Sequence, residues 1–447
     1  MKSNKRWLKW ICLGLACGMA LTSMSGCSGN GDDSTDSQGG SGNLPVIRFA
    51  TNYMAGTEQF HSDFSEMVEA YAASVKDKYT VEFESESGDN LRDKIKTDLA
   101  ADNLPDCFHY WTAGSVKDMV DNNLLLDIDE YFAVSKNLSR DNYPESSLGV
   151  YTFDGKTYGF PIEGSSNYML YNKEIFDEKG LTPPTNMDEL LEVSKALSAD
   201  GIVPLAVGSS AGNPAHFWYA AVFYQYYTQE ESNTICGEQD KWLGEDNIVK
   251  TGNLIEQMRD AGTFPADTLG SGDFAPAVSM YNEEKAAMIY AFPWVIQQFT
   301  DEIVEKSEFM DVPVMPDAKY STSDFVVGGT NFGFVVNAKS FHDESKQAAL
   351  VDFVDYLLGD EVNQLVAESG RWAVKIQEYD ESKLNPLYVR AQEYLDGREE
   401  RVHLWSNMPA AASQEVFSYA MDELWAGSAT VDQINQDIQD SINSDLS

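Results

Sequence analysis

Apolar and polar positions change period several times along this chain, and each change predicts an element. Val46 to Ala50 is a short β-branched run, and Phe60, Phe64, Met67, Val68, Tyr71 and Val75 then recur at helical spacing. Tyr79, Val81 and Phe83 alternate with Thr80, Glu82 and Glu84, the pattern of a half-buried strand. Leu91, Ile95 and Leu99 mark a second helix that stops near Asn103-Leu104-Pro105, and Asp106 to Trp111 reads as another strand. Strand, helix, strand, helix, strand is the order of an open α/β sheet.

The middle of the chain continues in this style. Gly155 to Phe160 is extended and Tyr168 to Tyr171 reads as a buried strand. Thr185, followed by Asp188 at the third position, is placed to cap a helix whose apolar face is Leu190, Leu191 and Leu197. Val203 to Val207 and Ala286 to Ala291 predict two further strands. The last 100 or so residues are mainly helical, clearest over 348–358, 362–367, 414–425 and 431–442. There is no internal repeat.

Composition narrows what such a fold does. The 447 residues are about two to three domains' worth of chain, and 43% hydrophobic with 12% aromatic content supports large cores. The 72 acidic against 31 basic side chains give a net charge of −41, which argues against nucleic acid as a partner, because phosphate binding needs Lys and Arg to displace counterions. Five cysteines, none in a C-x-x-C pair, provide neither a disulfide scaffold nor a thiolate metal site.

The N-terminus carries a different signal. Lys2, Lys5, Arg6 and Lys9 precede an uncharged apolar run from Trp10 to Leu21, and small residues lead to Cys27. A basic start, twelve apolar residues and small residues before a cut predict an export signal over 1–26. Twelve residues are too few to cross a bilayer core, which takes about 20. Met24-Ser25-Gly26-Cys27 resembles a bacterial lipobox, with Met24 where Leu is usual. The resemblance implies lipidation at Cys27, followed by a flexible Gly, Ser, Asp and Asn linker across 27–44. Removing 1–26 leaves 27 basic against 72 acidic residues, a net charge of −45. Such a body is held at the membrane by lipid, not by charge.

Several blocks carry a family resemblance. They are Tyr158-Gly-Phe-Pro161; Tyr168-Met-Leu-Tyr-Asn-Lys-Glu-Ile-Phe176; Gly180-Leu-Thr-Pro-Pro-Thr185 and Asp188-Glu-Leu-Leu191, with Met187 where Trp is usual. Leu104-Pro-Asp106 with Trp111, Lys285-Ala-Ala-Met288 with Phe292-Pro-Trp294, and Gly328-Gly-Thr-Asn331 with Ser369-Gly370 fit in the same order. Over about 45–375 the chain resembles the extracellular solute-binding proteins of carbohydrate ABC transporters, the group that includes the maltose-binding protein. The resemblance implies an α/β, two-lobed periplasmic-binding-protein-like fold of type II with several hinge crossings. Lobe 1 would be 45–160 with 328–373, and lobe 2 would be 161–327 with 374–447. It further implies a non-enzymatic, monomeric receptor on the extracellular face of the bacterial cell membrane. Its partners would be a carbohydrate and the permease subunits of an ABC transporter, without a cofactor or metal.

A pyranose presents a face of C–H groups and a rim of hydroxyls, so aromatic rings and carboxylates or amides are its natural partners. Trp111, at the carboxyl edge of a strand, and Trp294, after Phe292-Pro293, match the family's cleft aromatics; Trp218, after the 208–214 loop, is a third candidate. Trp405 and Trp372 are in reserve. For the rim, Glu163 matches the family's cleft carboxylate, with Asn167 as its substitute. Asn331 follows a double glycine where backbone can approach a ligand, Glu58 lies in the loop after the first strand, and Arg371 stands beside a Ser-Gly turn.

A secreted glycan-active hydrolase is the alternative. Gly208-Ser-Ser210-Ala-Gly212 fits the G-x-S-x-G elbow, but that motif needs a helix at once after the serine, and Asn213-Pro214 predicts an extended loop or turn instead. His342 and His403 read as structural helix ends.

Overall fold

The structure is a computed structural model that describes residues 44–56, 58–210, 212–272, 274–375 and 381–447. The export signal, Cys27 and all of the linker except Leu44 lie outside the described residues.

The first five predicted elements form in order: Val46–Thr51, Gln59–Val75, Thr80–Ser85, Gly88–Ala100 and Cys107–Trp111. Val46–Thr51 pairs in parallel with both Thr80–Ser85 and Cys107–Trp111. The sheet then turns antiparallel, because the long strand Phe325–Val336 pairs with Cys107–Trp111 on one side and Phe160–Ser166 on the other. Trp372–Ala373 closes one edge, and Glu399–Val402 runs parallel to the first residues of the long strand. Ile47, Phe49, Phe64, Phe334 and Phe353 are among the buried residues that fill this lobe.

A second sheet orders Ser307–Met310, Tyr168–Asn172, Ala286–Ala291 and Val203–Ala206. Every residue of Ala286–Ala291 is buried, as expected of a strand covered on both faces. Its cores take in the C-terminal helices: Leu387 and Ala391 pack with Tyr168 and Leu170, while Phe417, Leu424, Ile434 and Ile438 join Met169 and Leu205.

Three details depart from the sequence reading. Phe160–Ser166 belongs wholly to the first sheet, whereas the sequence reading assigned 161 onward to lobe 2. The helix Met187–Ala199 is capped by Asn186, whose Oδ1 accepts from the Glu189 amide at 3.0 Å; Thr185, one residue earlier, instead donates to the Glu189 carboxylate. Glu399–Val402 is a strand that the sequence pattern did not announce.

Gly328 lies where the long strand reaches the crossing. A Cβ there would stand 2.4 Å from the Ser165 carbonyl oxygen, so the glycine is required by the neighbouring strand and not by a ligand.

Candidate functional site

A cavity of about 540 Å³ opens between the two lobes. The first lobe supplies Trp111 from the end of its strand, Asn331 and Phe332 from the long strand, and Arg92 from the helix Gly88–Ala100. Phe332 stands in register with Trp111, and their rings meet edge to face at 5.5 Å. Asn331 is the extra residue where pairing with Phe160–Ser166 shifts register. Such bulges re-aim a side chain next to a site, and here the Asn331 amide donates to the Ser165 hydroxyl.

The second lobe faces these with Trp294, Phe217 and Phe274. Phe292 follows the buried strand Ala286–Ala291 and Pro293 starts a short helix, which sets the Trp294 ring on Phe292 at 4.6 Å and 27°. Phe217 meets Phe292 at 4.7 Å and the His403 ring at 4.5 Å. Trp405, three residues into the stretch after Glu399–Val402, completes the wall. The Arg92 guanidinium lies between Trp111 and Trp405, 4.3 and 4.8 Å from their ring centroids, a cation–π pair reaching from one lobe to the other.

Two imidazoles also line the wall. His216 is joined through Nε2 to the Asn213 amide oxygen at 2.7 Å. Burial, with His403 and Arg92 nearby, holds its pKa well below the ordinary histidine value. Burial pushes His403 down to about 3. Both are neutral at physiological pH and offer hydrogen bonds without charge.

Of the residues named from sequence, Trp111, Trp294, Asn331 and the reserve Trp405 therefore line one cavity. Glu163, Glu58 and Arg371 do not; they meet each other. The Arg371 guanidinium pairs with Glu58 at 2.8 Å and Glu163 at 3.3 Å, and lies 3.9 Å from the Phe60 ring centroid. Glu163 is 5% and Arg371 7% exposed. Burial raises the Glu163 pKa, while Arg371 pulls it down. Glu58 also accepts from Gln298 of the second lobe at 3.4 Å, so this ionic cluster sits at the junction between lobes.

Trp218 is a correction. It is fully buried on the helix Ala215–Phe223, edge-on to Tyr290 at 5.5 Å, and belongs to the second-lobe core. Asn167 is buried at the crossing, where its backbone N–H donates to the Val327 carbonyl at 2.8 Å. Trp372 pairs in the edge strand next to Phe160–Ser166. The G-x-S-x-G stretch is a small hairpin pairing Ser209–Ser210 with Asn213–Pro214, and Asp422 binds the Ser209 hydroxyl and the Gly212 amide. Among the described residues the next helix starts at Ala215, whereas a nucleophile elbow requires one at once after the serine.

Sequence reasoning missed Arg92, Phe217, Phe274, Phe332, His216 and His403. His403 is the sharpest case, because it read as a helix end and stands on the wall. Among the described residues, no group of three or more His, Cys, Asp or Glu is placed to hold a metal ion, and no helix is long and apolar enough to cross a membrane.

Comparison with known proteins places the chain in a family. Residues 57–364 match the bacterial extracellular solute-binding protein family. A putative binding protein of Brucella abortus is 23% identical over 331 residues, 70% of this chain and 75% of that protein. A galactooligosaccharide-binding protein of Bacillus subtilis is 27% identical over 172 residues, 36% of this chain and 37% of that protein. Among solved structures, a chitin oligosaccharide binding protein superposes with a TM-score of 0.77 at 20% identity, covering 90% of this chain and 98% of its own. With the family matched across both sheets and the two-lobed α/β fold shared, this chain belongs to the bacterial extracellular solute-binding proteins.

Proposed function

We propose that this protein is a lipid-anchored receptor that captures a sugar, most naturally an oligosaccharide, between its lobes and delivers it as a monomer to an ABC importer. The observation that carries the reading is the opposed aromatic wall. Trp111 and Phe332 on one lobe face Trp294 and Phe217 on the other across about 540 Å³, with Asn331 and Asn213 among them. Half-exposed rings beside amides suit a ligand with apolar faces and a hydroxyl rim. A ligand touching both lobes binds the closed arrangement better than an open one, and so draws the population toward the form a permease can recognise. Relatives named for galactooligosaccharide and chitin oligosaccharide binding support the same ligand class.

In this reading Trp111, Trp294 and Asn331 contact the ligand, whereas Glu58, Glu163 and Arg371 hold the lobe junction and Trp218 holds the core. Residues 1–26 are cleaved and Cys27 carries the lipid. Exchange of Cys27 for Ala should release the protein from the cell surface and abolish palmitate labelling; retention at the surface would exclude the anchor. For the ligand, maltotriose, xylotriose, raffinose and triacetylchitotriose are titrated by calorimetry and the mixtures analysed for products. Saturable binding without turnover supports the receptor. A cleaved product would establish the hydrolase, and no binding across such a panel would remove the sugar reading.

A further inference from the structure

The lobes touch directly at one flank of the cavity. The helix Gly114–Asp121 of the first lobe meets the segment running from Met408 into the helix Ala411–Ala426. The Ser115 hydroxyl donates to the Gln414 amide oxygen at 2.8 Å in a buried position, and Lys96 pairs with Glu415 at 3.1 Å further out. Gly114 is packed so closely that a Cβ would lie 2.4 Å from the Met408 carbonyl oxygen and 3.0 Å from Gln414 Nε2. The first of these is backbone, which cannot swing aside as a flexible side chain can.

The two segments that touch are also the two that bear cavity rings. Trp111 lies three residues before Gly114, and Trp405 three residues before Met408; Arg92 is held between those rings. The connection on the first-lobe side is taut. Ala113, between Trp111 and Gly114, has φ +53° and ψ −126°, a region that a residue with a Cβ rarely occupies. Strain of this kind persists where surrounding structure over-determines it, and it gathers at ligand clamps. Here Ala113 is pinned by its amide donating to the Val150 carbonyl at 3.0 Å.

We infer that Gly114, Ser115 and Gln414 form a latch that sets the gap between Trp111 and Trp405, and so act as positioning residues for the ligand. The inference rests on the cavity being the ligand site. The latch closes only because position 114 lacks a side chain: the lobes meet backbone to backbone there, at Gly114 and Met408, and the ring spacing follows from that contact.

Gly114→Ala tests this cleanly. Gly114 opens a helix with no positive φ, so alanine suits its backbone and the local fold gains from the exchange. Any penalty must come from the facing lobe. In the full chain, the variant should expand in ligand-free small-angle scattering, bind the preferred sugar of the panel at least about tenfold more weakly through faster dissociation, and melt within a few degrees of the wild type. Gln414→Met, which keeps the volume and removes the hydrogen bond, should move the off-rate the same way by about threefold; it serves if Gly114→Ala fails to fold. Unchanged scattering and unchanged off-rate in the folded variants would overturn the latch. If the wild type binds no sugar of the panel, the receptor reading fails, and the ligand-free scattering comparison alone still decides the latch.

Discussion

Glu163 and Phe332 face each other across neighbouring strands of the first sheet, yet they end in opposite surroundings. Glu163 is enclosed with Arg371, Glu58 and Phe60, and its charge is answered within the protein. Phe332 stands half-buried on the cavity wall with Trp111, part of its surface still open to the cleft. Covered and uncovered groups thus lie one strand apart. The difference separates residues that hold the cleft from residues available to what enters it. A buried lone carboxylate is costly, so a carboxylate that has its own arginine has little reason to wait for a sugar. An aromatic ring left half-exposed in a protein with ample core is where binding energy is still to be gained.

The tryptophans allow the strongest test of this division, because the same residue type occurs on both sides of it. Trp218 is covered completely, so Trp218→Ala leaves a large cavity in the second-lobe core and should cost about 3–5 kcal/mol of stability, read from urea unfolding. Sugar affinity measured on the folded fraction should stay within about twofold. Loss of affinity without loss of stability would place Trp218 on the ligand after all. Next comes Arg371→Met, which keeps most of the volume but strands Glu163 and Glu58 beside an apolar chain. Breaking a buried pair from one side costs about 3 kcal/mol or more. A stability loss below about 1 kcal/mol would mean that the cluster is hydrated and not part of the frame.

The order of elements was largely legible in the sequence and this division was not, for physical reasons. Alternation and helical spacing from Val46 to Trp111 predicted five successive elements, and all five form in that order. Trp111 and Trp294, singled out from strand-end positions and the family resemblance, both line the cavity. The ionic cluster was not legible: Glu58, Glu163 and Arg371 are far apart in the chain, and only the tertiary fold makes Arg371 their common partner. Glu399–Val402 was hidden because its residues do not alternate, and its pairing is dictated by the long strand. Trp218 carried an unused signal. Its helix, Ala215–Phe223, is apolar nearly all round, which marks a buried helix and not a cleft edge. His403 and Phe332 had no such signal, since single residues in apolar runs reach the wall only through a bulge or a crossing.

On the uncovered side, Trp294→Ala removes one ring face. Affinity for the preferred sugar should fall at least about tenfold, or 1.4 kcal/mol, while the melting temperature moves little because Trp294 packs mainly on Phe292 and Phe274. Unchanged affinity would move the ligand away from this wall. Paired with Trp218→Ala, this variant should show the reverse pattern: a binding defect without a folding defect.

The smallest effect is also the most specific to the covered side. Burial raises the Glu163 pKa above the ordinary 4.5, against the pull of Arg371, so over some interval above 4.5 the folded chain holds a proton that the unfolded chain has released. The folded state is therefore favoured as pH falls through that interval. The contribution is fully present below the ordinary carboxyl value and is lost as pH rises through the raised one. His61 and His109, in the same region, have lowered pKa values and act in the opposite direction, so the raw pH profile mixes the two. The difference between wild type and Glu163→Gln isolates the carboxyl group, since glutamine keeps the shape without the proton. Relative to this variant, the wild type should gain stability in urea titrations as pH falls through the raised value toward 4.5, and the variant's sugar affinity should stay within about twofold at neutral pH. A stability difference that is flat with pH would mean that Glu163 is not desolvated, and a collapse in affinity would return it to the ligand rim.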